Sequence, residues 1–196
     1  YKFKKRASFL FGQGAIGVSG IGVTKKIPID VAVNCCHGVC GEDGSVAALC
    51  NYADIPLVGS DVVPSAVAMD KIATKHVLSG LGFPVLQGFG VDSSASSIPE
   101  CDFPVVVKPS LLGSSIGVTV ARDETELKRA LELAFTYCDR ALVERALTNF
   151  NEYNCAAFRF GNEIITSVVA QPVAPREILT FDDKYVRGSK VRLPSA

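Results

Sequence analysis

Short apolar runs, separated by glycine, proline and serine, set the pattern of this chain. The run IDVAVNCC at residues 29–36 predicts a buried strand, and the run at 55–58 predicts a shorter one. Between them, residues 45–52 predict a helix that follows the polar loop HGVCGEDG. Residues 141–173 alternate often enough to predict strands of an antiparallel sheet. This mixture of helices and strands predicts an α/β (α+β) fold.

Two further segments have the features of helices. Residues 64–79 place several apolar side chains on or near one face, and Pro64 suits a first helical turn. Two glycines directly after this segment predict its end. Residues 125–135 predict a second helix, which Asp123 or Thr125 can cap. Residues 172–188 are predicted to form a polar loop.

The segment FPVVVKPSLLGSSIGVTV, residues 103–120, joins a buried strand, a lysine and a Gly/Ser-rich loop. Lys108 ends the first strand, and a second strand follows the loop. Two glycines and two serine hydroxyls in that loop suit closure over a polyphosphate by backbone N–H groups. A Walker A loop has the glycines first and leads into a helix. The segment therefore predicts a different kind of phosphate site, with the lysine delivered by a strand.

Composition restricts the class of protein. The chain has 196 residues, 48% of them hydrophobic, and a mean hydropathy of +0.28, which is typical of a globular protein with a core. Twenty basic and twenty acidic residues give zero net charge. This balance does not have the footprint of a nucleic-acid or anionic-membrane protein. No apolar run approaches membrane-spanning length, so we expect no nucleic-acid and no membrane partner.

The seven cysteines have no regular framework spacing. In a chain of this size, that pattern favours free thiols in a reducing compartment, so we expect a cytoplasmic protein. The basic and then apolar start is interrupted by GQG at residues 12–14, and we predict no secretion signal. The cluster CCHGVC at 35–40 lacks the spacing of a zinc site, and adjacent cysteines on a strand point to opposite faces. We predict no metal site in this cluster.

Several separated segments together resemble the D-alanine–D-alanine ligase family, whose members are ATP-grasp enzymes. The order HG…GEDG…IP…GS…SA…MDK…K…G.P runs through residues 37–84, and FPVVVKPSLLGSSIGV is similar to the family's phosphate-loop segment. ALVERAL at 141–147 resembles the family's adenine hinge, and FDDKY at 181–185 resembles its mobile loop. The resemblance extends from about residue 29 to the end of the chain.

This resemblance implies a domain organisation. Residues 1–63 are expected to be part of a Rossmann-like N-terminal α/β domain on the substrate side, and residues 64–196 an incomplete ATP-grasp nucleotide-binding region. The first residues do not match the family's opening strand and substrate loop. The family's Glu-x-Asn pair, which ligates magnesium, is expected beyond Ala196. We also expect the full-length protein to be a homodimer.

The nucleotide-binding positions that the resemblance implies fall into three groups. The phosphates are contacted by lysines and the glycine loop: Lys71, Lys108, Gly113, Ser115 and Gly117. The adenine edge is bracketed by Glu144, Arg145 and Leu147. The ribose hydroxyls are taken by Glu152, with Asn151 as the alternative. Taken alone, Lys71 is more often a solvated lysine on a helix surface.

The resemblance also implies catalytic positions. Ser114 faces the substrate and the acyl phosphate, although loop serines often bond only their own backbone. His37 lies near the first D-alanine. Lys184 and Tyr185 form a lid pair, the lysine on the phosphates and the tyrosine around the first substrate. A tyrosine at this position favours an amine as the second nucleophile, which leaves D-alanine and D-serine open.

The function implied is an ATP-dependent ligase that joins D-alanine to a second D-amino acid through an acyl phosphate, for peptidoglycan precursor synthesis. ATP and Mg²⁺ are the expected cofactors, and the two amino acids are the expected small-molecule partners. One alternative is a non-catalytic nucleotide-binding fragment or pseudoenzyme of the same fold. Another is an ATP-grasp carboxylate–amine ligase with a different acid substrate, against which the HG…GEDG…MDK run argues.

Overall fold

The computed structural model describes residues 6–20, 23–173 and 190–192, which belong to two compact units. Unit 1 comprises Tyr1–Val85 with Ser110–Leu112, and unit 2 comprises Leu86–Pro109 with Gly113–Ala196. This division falls after residue 85, whereas the sequence places a domain boundary after residue 63. That boundary concerns the domains of the family and stays a prediction.

Unit 1 combines an antiparallel sheet, a parallel strand pair and three helices. Its elements are β1 (Arg6–Leu10), β2 (Ala15–Gly20), β3 (Val23–Pro28), β4 (Ala32–Val33), α1 (Ser45–Ala53), β5 (Leu57–Val58), α2 (Val62–Met69) and α3 (Lys71–Gly80). The sheet has the order β1-β2-β3, and β4 pairs with β5 in parallel. A small core around Cys50, Ala53 and Ile55 joins α1 to the apolar side chains of these strands.

Two predictions for unit 1 were wrong in extent. The predicted strand at 29–36 is reduced to Ala32–Val33, because the Asn34 side chain accepts from Cys36 N–H and donates to Gly41 O. The predicted single helix at 64–79 is two helices. They are separated at Asp70, whose extended backbone (φ −88°, ψ 108°) ends α2 and whose side chain caps α3. The helix predicted at 45–52 is confirmed as α1.

Unit 2 is built on a four-stranded antiparallel sheet with the order β6-β9-β7-β8. Its elements are β6 (Gly88–Asp92), β7 (Val105–Pro109), β8 (Thr119–Ala121), α4 (Glu124–Phe135), β9 (Arg140–Arg145), β10 (Ala157–Phe160), β11 (Glu163–Thr166), β12 (Gln171–Val173) and β13 (Lys190–Arg192). The strands predicted on both sides of the glycine loop are confirmed, as is antiparallel pairing within 141–173. Most of the polar loop predicted at 172–188 lies outside the described residues.

Helix α4 covers one face of this sheet. Its buried Leu127 and Leu131 pack in one cluster with Val105 and Val107 of β7 and with Val143 of β9. The helix begins as predicted: Asp123 accepts from Glu126 N–H, and the Glu126 carboxylate accepts from Arg122 N–H (2.8 Å each). No helix among the described residues is long and apolar enough to cross a membrane.

The connection between β7 and β8 contains two glycines with different surroundings. Gly117 has φ +69°, and a Cβ there would lie 2.8 Å from Pro109 Cγ and 3.0 Å from Tyr137 Cδ2. Gly113 has no positive φ, and a Cβ there would meet nothing within 4 Å. The fold therefore requires glycine at position 117 and not at position 113.

We predict that Gly117→Ala lowers the free energy of unfolding by about 1–3 kcal/mol, because the new Cβ adds both backbone strain and a clash. Gly113→Ala is the matched control and changes it by less than about 0.5 kcal/mol. Urea unfolding followed by circular dichroism measures both. Equal losses in the two variants would contradict this assignment.

Candidate functional site

A cavity of about 360 Å³ lies within unit 2, against residues of β7, β8 and the end of β9. It brings together six of the positions singled out from the sequence: Lys108, Ser115, Glu144, Arg145, Leu147 and Glu152. The remaining lining residues were not found from the sequence: Leu86, Pro104, Val106, Val118, Val120, Arg122, Ala146, Thr148 and Phe150. The lining is thus mostly apolar, with charged groups at a few places.

The pleat of the sheet explains which side chains reach this cavity. Successive residues of a strand point to opposite faces. On β7, Val105 and Val107 are buried in the core with α4, so Val106 and Lys108 belong to the opposite face. In the sheet register, Val106 pairs with Val120 on one side and with Glu144 on the other. The side chains of three neighbouring strands therefore form one floor.

An ion pair joins two of these strands. The Lys108 ammonium contacts the Glu144 carboxylate, and the register makes these residues diagonal neighbours on one face. Only 8% of the Glu144 side chain is exposed, against 29% for Lys108. A carboxylate this deeply buried needs a compensating charge, which Lys108 supplies.

The neighbouring strand β6 approaches Glu144 closely. Gly88 pairs with Glu144 in the register, and a Cβ on Gly88 would lie 2.5 Å from Val143 O and 2.7 Å from Glu144 Cβ. Any side chain at position 88 would therefore displace the strand that carries Glu144. Glycine at this position therefore permits the close packing of β6 against β9 beside Glu144.

Backbone N–H groups at the end of β9 differ in their pairing. Arg145 N–H donates to Gln87 O (3.0 Å), and Ala146 N–H donates to Pro104 O (2.9 Å). Within the described part of the chain, Leu147 N–H has no hydrogen-bond partner, and Leu147 lines the cavity. The lining therefore contains a buried acceptor, Glu144, and a backbone donor, Leu147 N–H, that has no partner among the residues the structure describes.

The glycine loop holds its serines in an unfavourable backbone conformation. Ser114 and Ser115 have φ values of 54° and 59°, a region that residues other than glycine rarely adopt. Hydrogen bonds from Ile116 N–H to Gly113 O (3.2 Å) and from Val118 N–H to Ser115 O (3.4 Å) close the turns. Ser115 lines the cavity, whereas Ser114 and both candidate glycines of this loop are outside its lining.

Two candidates from the sequence, His37 and Lys71, lie in unit 1. The His37 side chain is 93% exposed, and its Nδ1 is 3.9 Å from the Glu42 carboxylate, which accepts from Gly38 N–H. Lys71 begins α3; its N–H donates to Ser110 O, and its ammonium contacts Leu112 O. The structure therefore does not place these two residues in the lining of the cavity.

The Asp43 carboxylate, near His37 in the chain, bonds the first residue of α1 and the loop before it. Asp43 accepts from Ser45 N–H (3.0 Å) and from Cys40 N–H (2.8 Å). Hydrogen bonds from Ser45, and then from Cys40, hold the pKa of Asp43 below its ordinary value. This supports a structural role for Asp43.

The two candidates for the ribose, Glu152 and Asn151, differ in their surroundings. Glu152 lines the cavity, whereas the side-chain oxygen of Asn151 accepts from Gln171 Nε2 (3.0 Å). Lys184 and Tyr185 lie outside the described residues.

Among the residues that sequence reasoning missed, Arg122 carries a positive charge into the lining, with its guanidinium 4.0 Å from the Glu126 carboxylate. The alternation of β8 could have indicated Arg122, since it follows Val118 and Val120 at a spacing of two.

The described residues contain no group of three or more His, Cys, Asp or Glu side chains that could hold a metal ion. The cavity does suit a ligand that has both a flat apolar part and a negative charge, because valines and Phe150 line it together with Lys108.

Comparison with known proteins identifies the family of this chain. A family model described as "D-ala D-ala ligase C-terminus" matches residues 90–195. A D-alanine–D-alanine ligase from Campylobacter lari is 34% identical over 184 residues, which are 94% of this chain and 53% of that protein. The corresponding enzyme from Wolinella succinogenes is 33% identical over 97% of this chain and 55% of its own length.

Solved structures of ligases from this family are also similar to the chain. The D-alanine–D-alanine ligase from Helicobacter pylori superposes with a TM-score of 0.73 at 29% identity, covering 82% of this chain and 52% of that one. The VanG D-Ala:D-Ser ligase from Enterococcus faecalis gives 0.71 at 28% identity, covering 85% and 50%. The chain thus spans about half the length of the relatives it matches, and the predicted ATP-grasp α+β fold is confirmed. Since the family model matches more than half of its residues, the chain belongs to the D-alanine–D-alanine ligase family.

Proposed function

We propose that the protein containing this chain is an ATP-dependent ligase that joins D-alanine to a second D-amino acid for peptidoglycan precursor synthesis. Within this chain, the proposal assigns ATP binding to the cavity of unit 2. The observation that carries it is the combination, in a mostly apolar lining, of the Lys108–Glu144 ion pair with a Leu147 N–H that has no partner among the described residues. Membership of the family supports the overall activity.

The size and lining of the cavity suit a nucleoside. Its volume of about 360 Å³ lies at the lower end of the range of about 300–1,000 Å³ that small-molecule pockets occupy. Val106 and Val120 provide a flat apolar floor across two strands. An adenine ring packed on this floor would bury apolar surface on both partners, which favours binding.

The polar groups around this floor match the edge of adenine. Adenine carries an amino donor beside a ring-nitrogen acceptor, whereas guanine carries a carbonyl acceptor at the first position. The ionised Glu144 carboxylate only accepts hydrogen bonds, and Leu147 N–H only donates. In this proposal, the amino group donates to Glu144 and the ring nitrogen accepts from Leu147 N–H, with the Arg145 backbone beside them.

The phosphates and the ribose are assigned to the remaining charged residues. Lys108 and Lys71 contact the phosphates, and the loop of Gly113, Ser115 and Gly117 encloses them. An ammonium group has three donors, so Lys108 can serve a phosphate while it keeps its contact with Glu144. Glu152 takes the ribose hydroxyls, which is supported by its place in the lining and by the engagement of Asn151 with Gln171.

The chemistry begins when the carboxylate of D-alanine attacks the γ-phosphate of ATP, which breaks the bond to the bridging oxygen and releases ADP. The acyl phosphate formed is then attacked by the amine of the second amino acid, and phosphate leaves. Catalysis of this kind depends mainly on positioning and on neutralisation of charge. In this proposal, Lys108, Lys71 and Lys184 neutralise phosphate charge, and Ser114, His37 and Tyr185 contact the first substrate.

Further parts of the proposal concern the whole protein. Mg²⁺ would supply charge neutralisation on the ATP phosphates, with its protein ligands beyond Ala196. The protein would act in the cytoplasm as a homodimer. Tyr185 favours an amine as the second nucleophile, so both D-alanine and D-serine are candidates; a D-Ala:D-Ser ligase is among the similar structures.

The ligase activity is tested by phosphate release from ATP in the full-length protein, with and without D-alanine, and by the mass of the product. We expect D-alanine-dependent phosphate release and a D-Ala–D-Ala or D-Ala–D-Ser dipeptide. Nucleotide binding without any D-alanine-dependent release would instead indicate a non-catalytic member of the family.

We predict that Lys108→Ala weakens ATP binding by about tenfold or more, because a charge-assisted contact to phosphate is lost. The measurement is isothermal titration calorimetry on the chain. Lys128→Ala, on an exposed position of α4 outside the cavity, is the control and should leave the affinity unchanged. Since Lys108→Ala also leaves Glu144 without its partner, circular dichroism must first verify that the variant is folded.

Base recognition gives a separate prediction. Glu144→Gln replaces one acceptor oxygen by an amide donor, so the preference for ATP over GTP should decrease by about fivefold or more. Competition of each nucleotide against a fluorescent ATP analogue measures this ratio. Glu126→Gln, which changes a carboxylate outside the lining, should leave the ratio intact. An unchanged ratio in Glu144→Gln would remove this carboxylate from base recognition.

A further inference from the structure

Asp70 is a buried aspartate to which the proposed function gives no role. It is 8% exposed and lies between α2 and α3. One of its oxygens, Oδ1, accepts from Ile72 N–H (3.0 Å) and from Ala73 N–H (3.2 Å), which caps α3. The same oxygen also accepts from the hydroxyl of Ser110, forty residues along the chain.

Ser110 completes a reciprocal contact with the start of α3. Its side chain is fully buried, and its carbonyl accepts from Lys71 N–H (3.0 Å). The ammonium group of Lys71 contacts Leu112 O in the same segment. Residues 110–112 are therefore tied to Asp70 and Lys71 by three hydrogen bonds, two of which use the backbone of the segment.

Residues 110–112 connect the strand that carries Lys108 to the glycine loop, so their contacts with Asp70 and Lys71 affect the proposed phosphate site. Residues 110–112 directly follow β7, which carries Lys108, and directly precede the glycine loop. Although strands 105–109 and 119–121 belong to unit 2, this short segment belongs to unit 1. The contacts of Asp70 and Lys71 therefore restrain one end of the loop and the Lys71 side chain at the same time.

Another helix cap in unit 1 shows that capping alone does not require this arrangement. Asp61 caps α2 by accepting from Val62 N–H (2.7 Å), and it is exposed. Its other side-chain bond is to Asn51, only ten residues away (3.0 Å). Asp70 differs because it is buried and because it also holds the segment that leads into the glycine loop.

We propose that Asp70 is a positioning residue for phosphate binding, which acts through Ser110 to hold Lys71 and residues 110–112 in place. This inference rests on the proposed function, since it takes Lys71 and the glycine loop to contact the phosphates of ATP. It predicts that the effect of losing Asp70 grows with the number of phosphates on the ligand. A residue that only stabilises the fold would affect every nucleotide alike.

The test measures the affinity of the chain for adenosine, AMP, ADP and ATP by calorimetry. The variants are Asp70→Ala, Asp70→Asn and Ser110→Ala, with Asp61→Ala as the matched control of a helix cap. Ser110→Ala removes a single hydroxyl and keeps the cap of α3, so it carries the test even if Asp70→Ala does not fold. Asp70→Asn retains an oxygen that can accept the same three bonds.

We expect Ser110→Ala and Asp70→Ala to weaken ATP binding by about five- to tenfold, because a buried polar contact is lost. Adenosine binding should change by less than about twofold, and Asp70→Asn should retain most of the affinity for ATP. Asp61→Ala should lower thermal stability, and any change that it causes in affinity should be the same for all four ligands. An equal effect on adenosine and ATP, or no effect on either, would overturn the positioning role of Asp70 while leaving the proposed function intact. Failure of the unmodified chain to bind any of the four ligands would overturn both the positioning role and the assignment of ATP binding to this chain.

Discussion

The pleat of the four-stranded sheet in unit 2 determines which side chains enter the core and which line the cavity. Because successive side chains point to opposite faces, the packing of α4 against one face assigns every other residue to the second face. Val105, Val107 and Val143 are committed to the core, which leaves Val106, Lys108 and Glu144 for the cavity. A shift of the register by one residue would exchange the two sets and bury the lysine under α4.

Burying the charged residues of the second face costs desolvation free energy, which is expected where these residues bind a ligand. Glu144 is nearly as buried as the valines around it, and its charge is balanced by Lys108. Apolar residues at both positions would often give an equally stable or more stable sheet, since desolvation of a buried ion pair offsets much of its attraction. The close approach of Gly88 to Val143 O and Glu144 Cβ shows that β6 lies tightly against β9 beside this residue. These features are those expected of a binding site that is formed before the ligand arrives.

Local patterns in the sequence predicted the parts of the fold that local interactions determine. The strands around the glycine loop and the helices α1 and α4 were found because apolar runs, periodicity and capping residues indicate them directly. The sheet β1-β2-β3 was not predicted, since its residues resemble no family motif and three of the five residues of β1 are exposed. The break at Asp70 was missed because helical periodicity continues across it, although an aspartate is a common N-cap and the Asp70 side chain caps α3.

The sequence predicted the residues of the candidate site that lie in motifs, but not the other residues of the lining. Residues at motif positions, such as Lys108, Glu144 and Leu147, were recognised and lie in one cavity. Val120 and Phe150 were not recognised, because no motif indicates them, and Arg122 was missed although its spacing of two from Val120 could have indicated it. The bond from Gln171 to Asn151 and the place of Glu152 in the lining could not be predicted from the spacing of these two neighbours.

The backbone amide of Leu147 offers the most direct test that this cavity binds adenine nucleotides. Its hydrogen exchange, measured by NMR with and without ATP, should slow markedly when the ring nitrogen of the base accepts from it. Arg145 N–H and Ala146 N–H, which already donate to Gln87 O and Pro104 O, serve as internal references and should change much less. Unchanged exchange at Leu147 in the presence of saturating ATP would contradict the assignment of this cavity to the nucleotide.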